Sequence, residues 1–288
     1  MSFSKKRINV AFTLQNGSFG LSGGNQATVT GLRISCQIKS QGGPTIGTCE
    51  LAIFGMPLDV MNQLSTVGAD YSAFKKNSIT VEAGDDETGM WLAFAGDIVT
   101  AYVDGNAQPN VCLRVSARPG HYYAMKPTAP TSIKGTADAA GMLQKLAGTM
   151  GLSFENSGVN VKLSNPYFAG SVLTQAMEIA KAGGFDMIIE RGTMAIVPPE
   201  KSRNGSTVLL SPETGMIGYP QFMQAAVVVT CLPNPDIKFL SKIQVESELT
   251  SANATWTVNS YELQLESETP RGKWMQIITA TSPEGAIS

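Results

Sequence analysis

The stretch that most constrains this chain is Ala225-Ala226-Val227-Val228-Val229-Thr230-Cys231, a run without charge set between two proline-marked corners. β-Branched residues dominate it and its length is that of a strand, so it reads as a buried strand. Ahead of it, Ser211-Pro212, Gly215, Gly218 and Tyr219-Pro220 punctuate the chain with turns and force an extended entry. Behind it, Leu232-Pro233-Asn234-Pro235 stops the strand, because neither proline can donate to a ladder. Ile243-Gln244-Val245-Glu246 then resumes the alternation of apolar and polar residues. A strand, a proline-rich corner and a second strand form the corner of a β-barrel or sandwich.

The first part of the chain carries the same signature. Arg7 to Leu14 alternates, and Ala27 to Ser40 is the longest candidate strand, with near-strict period two from Leu32 onward. A glycine-rich loop from Gly20 to Gly24 precedes it, and Gly42-Gly43-Pro44 turns the chain toward a returning strand from Thr48 to Met56. Pro57 to Leu64 differs: proline suits a helix start, and Leu58, Met61 and Leu64 fall at helical spacing. It is expected to be a short helix capping an opening of the barrel. Ser78 to Ala83, Trp91 to Val103 and Val111 to Ala117 complete a set of strands suited to an antiparallel barrel or sandwich.

Lys126-Pro127-Thr128-Ala129-Pro130-Thr131 reads as a stiff linker. After it the period changes. Thr136 is an expected N-cap for a helix over 137–150, closed by Gly151, and a second helix runs from Ala169 to Ala182, closed by Gly183-Gly184. Each is followed by an expected hairpin: Ser153–Asn156 with Val159–Leu163, and Phe185–Glu190 with Met194–Val197. Beyond this, the hairpin made by Trp256–Leu263 and Trp274–Ala280 echoes the one made by Gly96–Val103 and Val111–Ala117. The fold class expected is therefore mainly β with an α+β insert: two related antiparallel β-barrel or sandwich domains, 1–127 and 204–288, flanking a small α+β module, 128–203.

Composition narrows the function. Of 288 residues only 15% are charged, against the roughly 25% usual for soluble domains, and the net charge is −2. No basic field for nucleic acid exists. A weakly charged chain with 29 glycines suits either an assembly protein partly covered by partners or a β-rich domain with an Asn/Ser/Thr surface. Cys36, Cys49, Cys112 and Cys231 include no C-x-x-C pair and read as small buried hydrophobes, with a bond between Cys36 and Cys49 left open. No apolar run reaches the length of about eighteen residues that a membrane span needs, and Ile8 to Phe12 is too short for a signal sequence. Synthesis in the cytoplasm without a membrane anchor is the expectation.

Catalytic chemistry finds little support. The single histidine, His121, sits in Arg118-Pro119-Gly120-His121-Tyr122-Tyr123 with no nucleophile or orienting acid beside it in sequence. No phosphate-binding glycine motif exists, and Asp85-Asp86-Glu87 lacks the spaced oxygens of a calcium loop. Neither catalytic residues, nor a cofactor, nor a metal site are expected. Paired carboxylates for glycan cleavage stay open, since their spacing is spatial. Met216, Tyr219, Phe222 and Met223 lie in a turn-rich stretch that a monomer would keep polar. Two readings stand for them, a buried loop and a contact surface.

From Leu210 to Ala280 the order of strand, Ser211–Pro220 turn, strand, Cys231–Val245 corner and Trp256–Trp274 hairpin resembles the C-terminal domain of phage baseplate hub proteins. These are tail-tube-end proteins of contractile-tailed phages, related to the hubs of spike-type contractile injection systems. Val258-Asn259-Ser260-Tyr261-Glu262-Leu263 followed by Ser267-Glu268-Thr269-Pro270-Arg271-Gly272-Lys273-Trp274 carries most of the likeness. Phe185–Ile189 with Met194–Pro199 resembles the module such hubs insert between their barrels. The resemblance implies a structural protein of the virion tail baseplate, not an enzyme. It implies a homotrimeric, pseudo-six-fold ring joining the hexameric tail tube, or a tube-initiator ring, to a trimeric spike protein, with genomic DNA passing a lumen without specific binding. The alternatives are a tail-associated hydrolase active on peptidoglycan and a monomeric binding module of a secretion apparatus.

Overall fold

The computed structural model describes residues 4–15, 19, 24–41, 47–65, 76–106, 108–199 and 201–281. All but the last residue of the expected Gly20–Gly24 loop, and the expected Gly42-Gly43-Pro44 turn, lie outside the described residues. The chain divides into two units. Met1–Ile38, Gly47–Met125 and Gln264–Trp274 form the first, and Lys39–Ile46, Lys126–Leu263 and Met275–Ser288 the second.

The first unit contains β1 (Lys6–Thr13), β2 (Gln26–Val29), β3 (Ile34–Gln41, of which Lys39 onward belongs to the second unit), β4 (Thr48–Phe54), α1 (Leu58–Leu64), β5 (Ser78–Asp85), β6 (Gly89–Asp104), β7 (Cys112–Arg118) and α2 (His121–Met125). Alternation makes these strands. Ile8, Val10 and Phe12 on β1, Ile34, Cys36 and Ile38 on β3, and Cys49, Leu51 and Ile53 on β4 are all buried, while their neighbours face outward. The single long strand expected from Ala27 to Ser40 is two strands. Gly31, at φ 68°, breaks it with a backbone turn that a side chain would oppose. In α1 only Met61 and Leu64 are buried; Leu58, the third member of the expected apolar stripe, is exposed.

Strands in this unit follow the order β3-β4-β7-β6-β5-β1-β2, and the pairs β1–β2, β1–β5, β4–β7, β5–β6 and β6–β7 are antiparallel. β6 spans 16 residues and serves two neighbours in turn. β5 pairs with its first half from Gly89 to Asp97, and β7 pairs with its second half from Asp97 to Asp104, with a bulge between Ile98 and Thr100. The acidic tip joining β5 to β6 is organised by Asp85. Its Oδ1 accepts hydrogen bonds from the Glu87 and Thr88 amides (3.0 and 2.7 Å) and from Thr88 Oγ1 (2.9 Å), and its Oδ2 accepts from Lys6 Nζ (2.6 Å). These donors, Lys6 first, hold the Asp85 carboxyl far below the usual carboxylate range.

The second unit contains β8 (Pro127–Ser132), β9 (Thr136–Asp138), α3 (Ala139–Met150), β10 (Ser153–Asn156), β11 (Lys162–Ser164), β12 (Tyr167–Ser171), α4 (Val172–Gly183), β13 (Asp186–Glu190), β14 (Thr193–Val197), β15 (Val208–Leu210), β16 (Gln221–Met223), β17 (Ala226–Cys231), β18 (Lys242–Val245), β19 (Thr255–Ser267) and β20 (Trp274–Thr281). The ends of β19 and β20 beyond Leu263 and before Met275 count with the first unit.

Three expectations for the α+β module change. The proline stretch read as a linker is strand β8, paired antiparallel with β12. Prolines are admissible there because the strand lies at an edge, where a missing N–H costs no ladder bond. Gln175, fully buried in α4, fastens β8: its Oε1 accepts from the Thr131 amide and hydroxyl (3.1 and 2.7 Å), and its Nε2 donates to the Ala129 and Gly170 carbonyls (3.0 and 3.1 Å). The N-cap of α3 is Asp138, not Thr136: Asp138 Oδ2 accepts from the Gly141 amide at 2.8 Å, while Thr136 is drawn into β9. The first expected hairpin does not form, since β10 lies parallel to β14 and β11 pairs with β9. The second does, as β13 and β14. Gly151 and Gly184 close the helices in the left-handed conformation.

Arg203 ties this module to the strands that follow. It is buried, and its Nε and Nη2 donate to the two oxygens of Glu155 at 2.7 Å each, while Nη1 donates to Glu190 Oε1. Glu190 Oε2 in turn accepts from Tyr261 Oη (3.1 Å) and Ser40 Oγ (3.3 Å). Hydrogen bonds from Arg203 lower the Glu155 pKa, and burial, aided by Glu190, raises that of Tyr261. Ile188, Ala195 and Phe239 add an apolar contact between the module and the corner after β17.

The C-terminal strands follow the order β16-β17-β20-β19-β18-β15. This repeats the first unit. Strands that succeed one another in sequence as β1, β3, β4, β5, β6, β7 stand in the order β3-β4-β7-β6-β5-β1, and β15 to β20 occupy the matching places one for one. In both, an early hairpin lies beside the last strand, and one long strand separates the last strand from the fourth. Two differences remain: β15 runs parallel to β18 whereas β1 runs antiparallel to β5, and β2 and α1 occur only in the first unit.

Two stability outcomes follow. Arg203→Met strands the buried Glu190 and the half-buried Glu155 beside each other and is expected to cost about 3 kcal/mol in urea unfolding, because removing one partner leaves the other charges uncompensated. Asp85→Asn is expected to cost about 2 kcal/mol at neutral pH, from the loss of charge-assisted hydrogen bonds. Because folding depresses the Asp85 pKa, its contribution is complete above the unfolded value near ~4 and fades as pH falls through the folded value. The gap between wild type and variant, followed by thermal melts from neutral to acid pH, should stay constant at first and then close below that point.

Candidate assembly interface

The four residues singled out in sequence separate in the structure. Met216 is buried and forms an antiparallel bridge with Cys231. Tyr219, Phe222 and Met223 are exposed by 60%, 50% and 60%, values large enough to make them surface and not core. The buried-loop reading thus describes Met216, and the surface reading describes the geometry of the other three.

Local chemistry explains the difference. The loop after β15 folds on Ser211 and Thr214. The Ser211 amide donates to Thr214 Oγ1 (2.8 Å), that hydroxyl donates to the Leu209 carbonyl (2.8 Å), and the Met216 amide returns to the Ser211 carbonyl (2.9 Å). Gly215, at φ 103°, lets the chain reverse beside Leu232, whose amide donates to the Gly215 carbonyl at 2.8 Å. This reversal turns Met216 inward and leaves Ile217 and Leu232 outside, exposed by about two fifths. Sequence reasoning missed these two; the signal available was their position around the Gly215 and Gly218 turns. Tyr219 donates to Glu248 Oε2 at 3.0 Å, which pins its ring on the surface and raises the phenol pKa.

Phe222 and Met223 belong to β16, which pairs with β17 and, among the described residues, with no strand on its other side. All three residues of β16 are exposed. An apolar edge strand of this kind is a pairing surface that proteins usually guard.

The groups considered for catalysis are placed as follows. His121 opens α2, beside Asp97, whose Oδ2 accepts from the Tyr122 amide at 2.9 Å and whose pKa burial raises. Glu155 and Glu190 are paired carboxylates, but both are bound to Arg203. Cys36, Cys49, Cys112 and Cys231 are free buried thiols, and burial pushes Cys231 up to about 12. Among the described residues no cluster of three or more His, Cys, Asp or Glu is arranged to hold a metal. No helix among them is long and apolar enough to cross a membrane. On the first unit, a groove of about 310 Å³ crosses the outward face of β3, β4, β6 and β7, where Glu50 accepts from Ser116 Oγ and Arg114 pairs with Asp104, both at 2.7 Å.

Comparison with solved structures places this fold among tail proteins. The 43 kDa tail protein of prophage MuSo2 from Shewanella oneidensis superposes with a TM-score of 0.62 at 11% identity, covering 96% of this chain and 97% of that one. A tail protein from Neisseria meningitidis gives 0.62 at 11% identity, with 96% of each chain covered. The Escherichia coli c3393 protein gives 0.58 at 8% identity, covering 94% of this chain and 76% of that one; it is described as a type VI secretion system component similar to the T4 tail proteins gp27 and gp5. At such identities the likeness is one of fold. A search of curated proteins gave no match. The family described as baseplate hub gp41 matches residues 7–272, and the chain belongs to that family of phage tail baseplate proteins.

Proposed function

We propose that three copies of this chain close into a ring at the end of the tail tube, and that the two units of each copy supply six similar sectors. The observation that carries the proposal is the strand order β3-β4-β7-β6-β5-β1 repeated as β16-β17-β20-β19-β18-β15. A ring of three ordinary subunits has no match for a six-fold neighbour. A ring of three chains, each built on one strand order used twice, offers six near-equivalent surfaces on one side. The features found once per chain, α1 and β2 in the first unit and the α+β module in the second, recur three times and suit a three-fold neighbour. The ring joins the hexameric tail tube, or a tube-initiator ring, to the trimeric spike protein.

Closure requires head-to-tail contacts whose rotation completes a circle. The weak net charge of −2 suits a lumen that lets genomic DNA pass without holding it. The work of the protein is assembly in the virion tail baseplate after synthesis in the host cytoplasm, and its close carboxylates, Glu155 and Glu190, serve Arg203 and not a substrate.

Sedimentation velocity and native mass spectrometry of the purified chain, over a range of micromolar concentrations, test this. A species of three times the chain mass is expected; a monomer or dimer throughout the range would contradict it.

A further inference from the structure

Taking the ring proposed above as its premise, we infer that each copy is covered by the next along the open flank of β17, at the apolar row of Ile217, Tyr219, Phe222, Met223 and Leu232. The occupant of this row is a second copy of this chain.

The row is one surface, and the core behind it is unfinished. At one end of β17 the Ile217 amide donates to the Thr230 carbonyl (2.7 Å) and the Leu232 amide to the Gly215 carbonyl (2.8 Å). At the other end Phe222 and Met223 stand opposite Val227 and Ala226. Residues directly opposite in an antiparallel pair share a face, and Val227 is fully buried. Phe222 therefore carries the core face of the sheet out to its edge and is left half exposed there. Among the described residues no strand lies beyond β16. No charged residue occurs from Thr214 to Pro235, and Glu248, which accepts from Tyr219 Oη, sets a charge at the rim. An apolar centre with a polar rim is the anatomy of a protein–protein contact.

The repeated strand order indicates the occupant. β3 stands in the first unit where β16 stands in the second. β3 is not left open: β19 of the same chain lies along it, with Ser267 Oγ donating to the Leu32 carbonyl (3.1 Å) and Lys39 paired with Glu262 (4.0 Å). Ile34, Cys36 and Ile38 of β3 are all buried, whereas Phe222 and Met223 of β16 are exposed by half or more. One of two matching flanks is thus closed by residues of this chain. In a ring of identical chains, the residues that can close the other belong to the next copy, and closing it removes the apolar row from water. The row cannot be closed by its own twin, since two identical surfaces face to face make a two-fold dimer and not a ring.

Hydroxyl-radical footprinting of full-length wild-type trimers tests this. Met223, 60% exposed in the single chain, is expected to lose its reactivity and to oxidise as slowly as the fully buried Met194. Phe222→Glu gives a second readout. Its side chain is half exposed, so the chain should keep its far-ultraviolet spectrum and an unreactive Met194, while sedimentation shows the trimer lost. Met223 still reactive in wild-type trimers, or a trimer retained by Phe222→Glu, would overturn the inference and leave the ring itself standing. Wild-type chains that sediment only as monomers would overturn both.

Discussion

Each unit depends on one strand that serves two neighbours in succession. β6, of 16 residues, lends Gly89–Asp97 to β5 and Asp97–Asp104 to β7, and β19, of 13 residues, stands in the matching place, between β18, which it meets through Thr255–Thr257, and β20. Shorter strands would pair along their whole length and stack into a flat meander. A strand long enough to leave one partner and take up another must bend between them, and in β6 the bulge at Ile98–Thr100 marks that change. The remaining strands of each unit take positions fixed by this one: the last strand and the early hairpin on one side, the fourth and first strands on the other. The same dependence appears twice in one chain with less than obvious sequence likeness, because what repeats is the placement of turns and the alternation of buried side chains.

Much of this was legible in residues. Ile8, Val10 and Phe12, or Ile34, Cys36 and Ile38, alternate so strictly that only a half-buried strand accommodates them, and all six are buried. Gly151 and Gly184 mark helix ends because left-handed backbone at those points favours glycine. The failures share a cause. Pro127 and Pro130 look like a linker locally, yet Gln175, more than forty residues away, recruits them into an edge strand. Ser153–Asn156 and Val159–Leu163 look like a hairpin locally, yet β10 finds a better-buried parallel partner in β14. The Arg203 cluster could not be read at all, since Glu155, Glu190, Ser40 and Tyr261 converge from four separate stretches. Long-range pairing overrides local propensity wherever it buries more.

In the stretch proposed as an interface, the residues alone did not divide the buried side chains from the exposed ones. A turn-rich segment with Met216, Tyr219, Phe222 and Met223 is unusual on a monomer's surface, and that composition is visible in the residues alone. Whether each side chain points in or out depends on the Gly215 reversal, which hides Met216 and presents Ile217 in its place. The apolar edge that results is a liability for an isolated chain and an asset for a chain that assembles. Low charge has the same double character: it reduces repulsion between copies and also reduces solubility.

The idea that one strand order, used twice, lets three chains mimic six is tested most directly by imaging. Averages of purified rings by electron microscopy, computed without imposed symmetry, should show a three-fold particle with a central opening and six sectors of similar outline around it. Particles with three sectors only, or with no central opening, would contradict it.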